Sequence, residues 1–163
     1  MDVAKSMRTK LIIARPDSDY KSLLCKITSS TPRQIYIVDE NYKLLGIVTS
    51  LDLLKEVMPS YMNADLARSL TDGADLLQKQ VEKVKDKCAS EIMTTKIKFL
   101  RPEDQLFEAN ALIAETGFNT LPVLDEDGKI LGEISRRDIM IRLINNCTDF
   151  NHNDETLVDL SLL

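Results

Sequence analysis

Residues suited to catalysis are scarce in this chain. Its 163 amino acids include one histidine, His152, and three cysteines, Cys25, Cys88 and Cys147, none in CxxC spacing. Metal centres want clustered His, Cys or carboxylate ligands, and nucleophilic catalysis wants a nucleophile beside its base; neither pattern is present. The five glycines form no phosphate-cradling loop of the common types. Acid pairs such as Asp125 and Asp127 suit a turn better than a general acid and base. The chain therefore reads as a non-enzyme with no metal site. An odd cysteine count without a signal peptide argues against a disulfide framework, so the thiols read as reduced. Basic charge is also in short supply. With 21 Lys+Arg against 26 Asp+Glu and a net charge of −5, there is no stripe to neutralise a nucleic-acid backbone. Met1 to Lys10 lacks the apolar core of a signal peptide, and no apolar run is long enough for a bilayer. A cytoplasmic location without membrane insertion is the expectation.

What the chain does have is repetition. Each residue from Met7 to Leu54 has a counterpart 86 positions later, without a gap. The identities include Met7/Met93, Thr9/Thr95, Lys10/Lys96, Arg15/Arg101, Pro16/Pro102, Ile27/Ile113, Asp39/Asp125, Glu40/Glu126, Lys43/Lys129, Leu45/Leu131, Gly46/Gly132 and Asp52/Asp138. A duplicated supersecondary unit usually cannot bury its apolar face alone and packs against its copy, leaving equivalent clefts between them.

Each copy reads as an extended lead, a helix, two strands joined by a turn, and a second helix. In the second copy, Pro102-Glu103-Asp104 opens an amphipathic stretch through Leu106, Ala109, Leu112 and Ile113 that Gly117 ends. Leu121 to Leu124, the turn Asp125-Glu126-Asp127-Gly128 and Lys129 to Ile134 predict a hairpin. The first copy repeats it with Ile35 to Val38, Asp39-Glu40-Asn41-Tyr42 and Lys43 to Val48; Tyr42 replaces the glycine, so a different turn geometry is expected. The strands are nearly continuous in apolar residues, which predicts a sheet covered on both faces. The fold class is α+β, α/β-like in its alternation, with two αββα units packed pseudo-symmetrically into one module. The boundaries are 1–62 and 88–148 for the repeats, 63–87 for connecting helices broken at Asp72-Gly73, and 149–163 for a tail that docks or frays.

Each hairpin ends in a hydroxyl residue, an acid three positions on, and a helix: Thr49-Ser50-Leu51-Asp52 and Ser135-Arg136-Arg137-Asp138. This spacing is that of a capping box, in which hydroxyl and carboxylate satisfy free N–H groups at a helix start. The same geometry can serve a ligand, the helix start facing a phosphate and the carboxylate accepting from a diol. The two readings are compatible.

These residues carry a family resemblance. Ser90-Glu91-Ile92-Met93-Thr94, Gly117-Phe118-Asn119-Thr120-Leu121-Pro122-Val123-Leu124-Asp125 and Gly132-Glu133-Ile134-Ser135-Arg136-Arg137-Asp138 resemble the motifs of a CBS domain, and the duplication resembles a tandem pair of them. The resemblance implies a regulatory module that senses an adenosine-containing ligand. It implies that Asp138 takes the ribose hydroxyls, that Ser135 and Arg136 approach phosphate, that Thr120, Leu121 and Pro122 line the base pocket, and that Thr94, Lys96 and Ile97 close it. In the first copy Asp52, Thr49 and Ser50 take the ribose and phosphate positions, with Gln34, Ile35 and Tyr36 by the base and Lys10 on the leading strand. That copy departs from the pattern: Thr31 replaces a glycine, Ser50 brings no charge, and Tyr36 either stacks on adenine or fills the pocket. The resemblance further implies a homodimer and a separate effector protein, with an adenine nucleotide (AMP, ADP or ATP, ahead of S-adenosylmethionine) as regulatory ligand and no required cofactor. A ligand-free dimerisation scaffold and a thiol redox sensor are the alternatives.

Overall fold

A computed structural model describes residues 2–29 and 34–146; Thr31, Cys147, His152 and the tail from Asp149 to Leu163 lie outside the described residues. The first repeat contains β1 (Ile13–Ala14), α1 (Tyr20–Thr28), β2 (Gln34–Val38), β3 (Leu44–Thr49) and α2 (Ser50–Glu56). Two connecting helices follow, α3 (Ala64–Arg68) and α4 (Gly73–Val84), interrupted at Asp72-Gly73 as the sequence suggests. The second repeat contains α5 (Ala89–Ile92), α6 (Leu106–Thr116), β4 (Thr120–Leu124), β5 (Ile130–Ser135) and α7 (Arg136–Asn146). The helix expected from Pro102 starts later, because Asp104 Oδ2 accepts from the Arg101 N–H at 2.7 Å and closes a separate turn ahead of it. Gly117 ends that helix at φ +73°, its N–H donating to Ile113 O.

The duplication extends to hydrogen-bond register. Gln34 pairs with Thr49 and Tyr36 with Ile47, just as Thr120 pairs with Ser135 and Pro122 with Glu133, and both hairpins slip register at the same point, Ile37/Val38 and Val123/Leu124. β1 adds a parallel strand to β2, while its counterpart in the second repeat is a single parallel bridge from Leu100 to Val123. Each hairpin carries its own helices on one face: Leu23, Ile27 and Leu53 on Ile35, Ile37 and Val48, and Ala109, Ile113 and Ile139 on Leu121, Val123 and Ile134.

The two turns differ less than the sequence suggests. Tyr42 sits at φ +62°, in the same left-handed region as Gly128 at φ +82°. The shared aspartates explain this: Asp39 Oδ1 accepts from the N–H groups of Asn41 and Lys43, and Asp125 Oδ1 from that of Lys129, so both chains are bent by the same side-chain clamp. Arg15 and Arg101 each donate to the last strand carbonyl and to the aspartate carbonyl that follows it. Arg15 also lies 5.2 Å over the Tyr42 ring, a cation–π contact that offsets part of the strain.

The repeats exchange their leading arms. Val3 is buried in the core of the second repeat, whereas Ala89 and Ile92 are buried in that of the first. The bonds that seat the arms are equivalent: Val3 and Ala4 donate to Asp104 O and Pro102 O, and Ala89 and Ser90 to Ser18 O and Pro16 O. Where an arm crosses a hairpin, only glycine fits. A Cβ on Gly132 would come within 2.7 Å of Arg8 O, and one on Gly46 within 2.8 Å of Met93 Cβ. The repeated Met7/Met93 and Gly46/Gly132 identities are therefore one contact made twice.

Candidate functional site

The strand-to-helix junctions place both aspartates. Asp52 Oδ2 accepts from the Thr49 N–H and hydroxyl, each at 2.8 Å, and Thr49 Oγ1 accepts from the Asp52 N–H at 3.2 Å. Asp138 Oδ2 accepts from the Ser135 N–H at 2.8 Å and hydroxyl at 2.6 Å, with Ser135 Oγ accepting from the Asp138 N–H at 3.2 Å. Both are capping boxes, and both use one carboxylate oxygen. Among the described residues nothing is hydrogen-bonded to Oδ1 of either aspartate, so each can cap its helix and still accept from a ligand hydroxyl.

Gln34, paired to Thr49, and Thr120, paired to Ser135, flank these junctions. The structure thus brings Gln34, Thr49, Ser50 and Asp52 together, and likewise Thr120, Ser135, Arg136 and Asp138. Other expected residues are placed differently. Ile35 and Leu121 are wholly buried in the cores of their own repeats, so their side chains do not line a cleft; strand alternation turns them toward the helices. Thr94 is bonded to Ile47 of β3 through reciprocal N–H···O bonds, and by symmetry Arg8 is bonded to Glu133 of β5. The leading-arm residue in contact with Asp138 is therefore Arg8 and not Thr94. Lys96 and Ile97 lie on the stretch that crosses from Thr94 on β3 to Leu100 on β4, and Lys10 lies between Arg8 on β5 and β1. Arg136 does not extend toward its helix start; its guanidinium donates to Phe118 O at 2.9 Å and to Gly117 O.

Pro122 and Tyr36 are both buried on the inner side of their hairpins. Tyr36 does not present an open stacking face. It fills the centre, fully buried, and its hydroxyl donates to Glu133 Oε2 at 2.6 Å across the two repeats. Glu133 is itself 1% exposed. Arg8 pairs with both acids, Nη2 lying 3.0 Å from Glu133 Oε1 and Nε 3.2 Å from Asp138 Oδ2. The result is a chain of contacts, Tyr36–Glu133–Arg8–Asp138, that runs from the base position of the first copy to the ribose position of the second. Burial pushes the Glu133 carboxyl above its ordinary range, with the Asp138 charge adding to the rise and the Tyr36 hydrogen bond and Arg8 opposing it. Burial, then the Glu133 charge and hydrogen bond, raise the Tyr36 hydroxyl far beyond reach of ordinary pH.

Sequence reasoning assigned no role to Glu133 or Arg8. A signal for Glu133 exists: it interrupts the apolar strand Ile130 to Ile134, where the first copy carries Ile47, and a buried charge demands a partner. No such signal marks Arg8, because only the arm exchange brings it there. Among the described residues no group of His, Cys, Asp or Glu is disposed to hold a metal ion, and no helix is long and apolar enough to cross a membrane.

Comparison with known proteins agrees with this architecture. The chain is 27% identical over 139 residues to the chloroplastic CBS domain-containing protein CBSX2 of Arabidopsis thaliana, covering 82% of this chain and 58% of that protein. It spans about half the length of this and other curated relatives that it matches. A crystal structure of CBSX2 in complex with AMP superimposes with a TM-score of 0.69 at 25% identity, covering 88% of this chain and 96% of the other. The CBS domain pair of protein MJ0100, in complex with 5'-methylthioadenosine and S-adenosyl-L-methionine, gives a TM-score of 0.65 at 18% identity over 88% and 95%, a likeness of fold. The CBS domain family matches twice, over residues 2–59 and 89–145, one match for each half of the duplication, and the chain belongs to that family as a tandem pair.

Proposed function

We propose that this protein is a regulatory, non-catalytic module that binds an adenosyl ligand between its repeats. The carrying observation is the pair of capping aspartates, each with one carboxylate oxygen committed to its helix and the other without a hydrogen bond among the described residues. A carboxylate is the natural acceptor for a ribose diol, and the start of α7, an 11-residue helix whose Arg136 and Asp138 N–H groups are bonded to Asn119 O and Ser135 Oγ, adds the positive end of its dipole for an anion. The AMP bound by CBSX2 and the adenosyl compounds bound by MJ0100 support the ligand class. An adenine nucleotide ranks above S-adenosylmethionine, since the Asp138 junction carries Arg8. Ligand acts by shifting the relative angle of the repeats, or the packing of a homodimer, and so changes a surface read by a separate effector protein. The dimer reading is supported by apolar side chains left open on the last helix of each repeat, Leu51 and Leu54 on α2 and Met140 and Leu143 on α7.

Titration calorimetry with AMP, ADP, ATP and S-adenosylmethionine tests this on the full chain beside Asp52→Ala and Asp138→Ala. Saturable heat with at least one ligand, lost in Asp138→Ala while the fold is retained, is the expected result. No heat from any of the four in a folded protein overturns the assignment and favours the ligand-free scaffold.

A further inference from the structure

The cation that the sequence points to at the Asp138 junction, Arg136, is turned back onto the carbonyls of Gly117 and Phe118. The cation that actually stands there comes from the other end of the chain. Arg8 reaches Asp138 Oδ2 with Nε, on the same oxygen that accepts from Ser135, and its Nη2 is held by the buried carboxylate of Glu133. Its side chain is 43% exposed, and among the described residues no partner is bonded to Nη1. Both contacts are ion pairs by distance, and Glu133 Oε1 makes no hydrogen bond among the described residues; a guanidinium drawn to this junction by two carboxylates, with Nη1 open, is a cation available to an anion. The first copy has none of these parts: Thr94 replaces Arg8, Ile47 replaces Glu133 and Ser50 replaces Arg136.

We propose that Arg8, braced by Glu133, is the specificity-determining residue of the Asp138 site and makes it select adenosyl ligands that carry phosphate over neutral or cationic ones, whereas the Asp52 site is indifferent to that charge. The inference rests on the ligand-binding reading above. Glu133 is a positioning residue: it holds the guanidinium and does not meet the ligand. Tyr36 donates to Glu133 in turn, so the contacts link the sheet of the first repeat to the Asp138 site through the sheet of the second.

The test compares AMP, adenosine and S-adenosylmethionine by calorimetry on the full chain, using Asp52→Ala as background so that only the Asp138 site is read. Arg8→Gln should weaken AMP by about tenfold or more, the worth of one charge-assisted hydrogen bond, while adenosine changes by less than about twofold and S-adenosylmethionine holds or improves. Arg8→Lys should recover part of the loss. Because Arg8→Gln leaves the buried Glu133 charge without its partner, Arg8→Gln/Glu133→Gln removes both charges, keeps an acceptor for Tyr36, and should show the same loss of discrimination in a folded protein. Equal changes for AMP and adenosine, or no change for either, overturn the role of Arg8 while leaving the ligand-binding reading intact. Absence of binding by all three ligands in the unsubstituted chain overturns both.

Discussion

Gly132→Ala is the sharpest probe of the exchanged arms. The new Cβ would meet Arg8 O at 2.7 Å, a backbone atom that no rotamer change can remove, with Met7 Sδ at 2.9 Å beside it. Ordinary contact begins at 3.4 Å, so the arm must retreat by about 0.7 Å. The reciprocal bonds between Arg8 and Glu133, each 2.9 Å, then stretch to about 3.6 Å, outside hydrogen-bonding range. Losing two backbone bonds at about 1 kcal/mol each, and about 1 kcal/mol of the burial of Val3, gives a destabilisation of about 3 kcal/mol. Urea unfolding followed by circular dichroism measures it as a fall in midpoint at unchanged slope. In a chain shortened to begin at Lys10 the obstacle is gone, and the same substitution should cost under about 1 kcal/mol. A small cost in the full chain, or an equal cost in both chains, refutes the reasoning.

Three further substitutions test other links. Gly128→Ala, which meets no neighbour and suffers only from its φ of +82°, should cost about 1 kcal/mol, whereas Tyr42→Gly should stay within about 0.5 kcal/mol because relief of strain is offset by the lost Arg15 stacking and a freer unfolded chain; thermal melts read both. Asp52→Ala should cost about 1 kcal/mol as a lost cap, and Asp138→Ala more, since it also removes an acceptor of Arg8; urea midpoints separate them. The Glu133 carboxyl is raised in the folded state, so its contribution is fully present below the ordinary carboxyl range and is lost as pH rises through the folded value. Tyr36→Phe removes a donor that lowers that value, so it should widen this loss and cost about 1–3 kcal/mol at neutral pH. Glu133→Gln should abolish the pH dependence, as urea midpoints between about pH 4 and 8 would show.

The residues shared by the two copies made the fold legible. Asp39/Asp125 and Arg15/Arg101 clamp the turns, Asp52/Asp138 cap the helices, and Met7 and Met93 sit on Gly132 and Gly46, so each of these identities corresponds to a contact made twice. The caps and the aspartate turns are local chemistry, which is what spacing reveals, whereas the methionine–glycine contacts join the two repeats. The exchange of arms was not legible, because the carbonyls of Pro16 and Pro102 serve a partner arm and a self arm equally well in sequence terms; only the three-dimensional path decides. Tyr42 misled for a related reason, since a side-chain clamp from Asp39 outweighed its preference for negative φ. The centre of the site was hidden because it depends on the positions where the copies differ. Tyr36, Glu133 and Arg8 stand opposite Pro122, Ile47 and Thr94; the comparison of copies marks Tyr36 as a departure, but a search for similarity passes over Glu133 and Arg8.

The most direct test of the central claim is a crystal structure of the full chain with AMP. The ribose hydroxyls should lie within hydrogen-bonding distance of Oδ1 of Asp138, with the phosphate at the start of α7 and Arg8 still held by Glu133. AMP bound away from both Asp52 and Asp138, with the two capping boxes and the Tyr36–Glu133–Arg8 chain untouched, would contradict it.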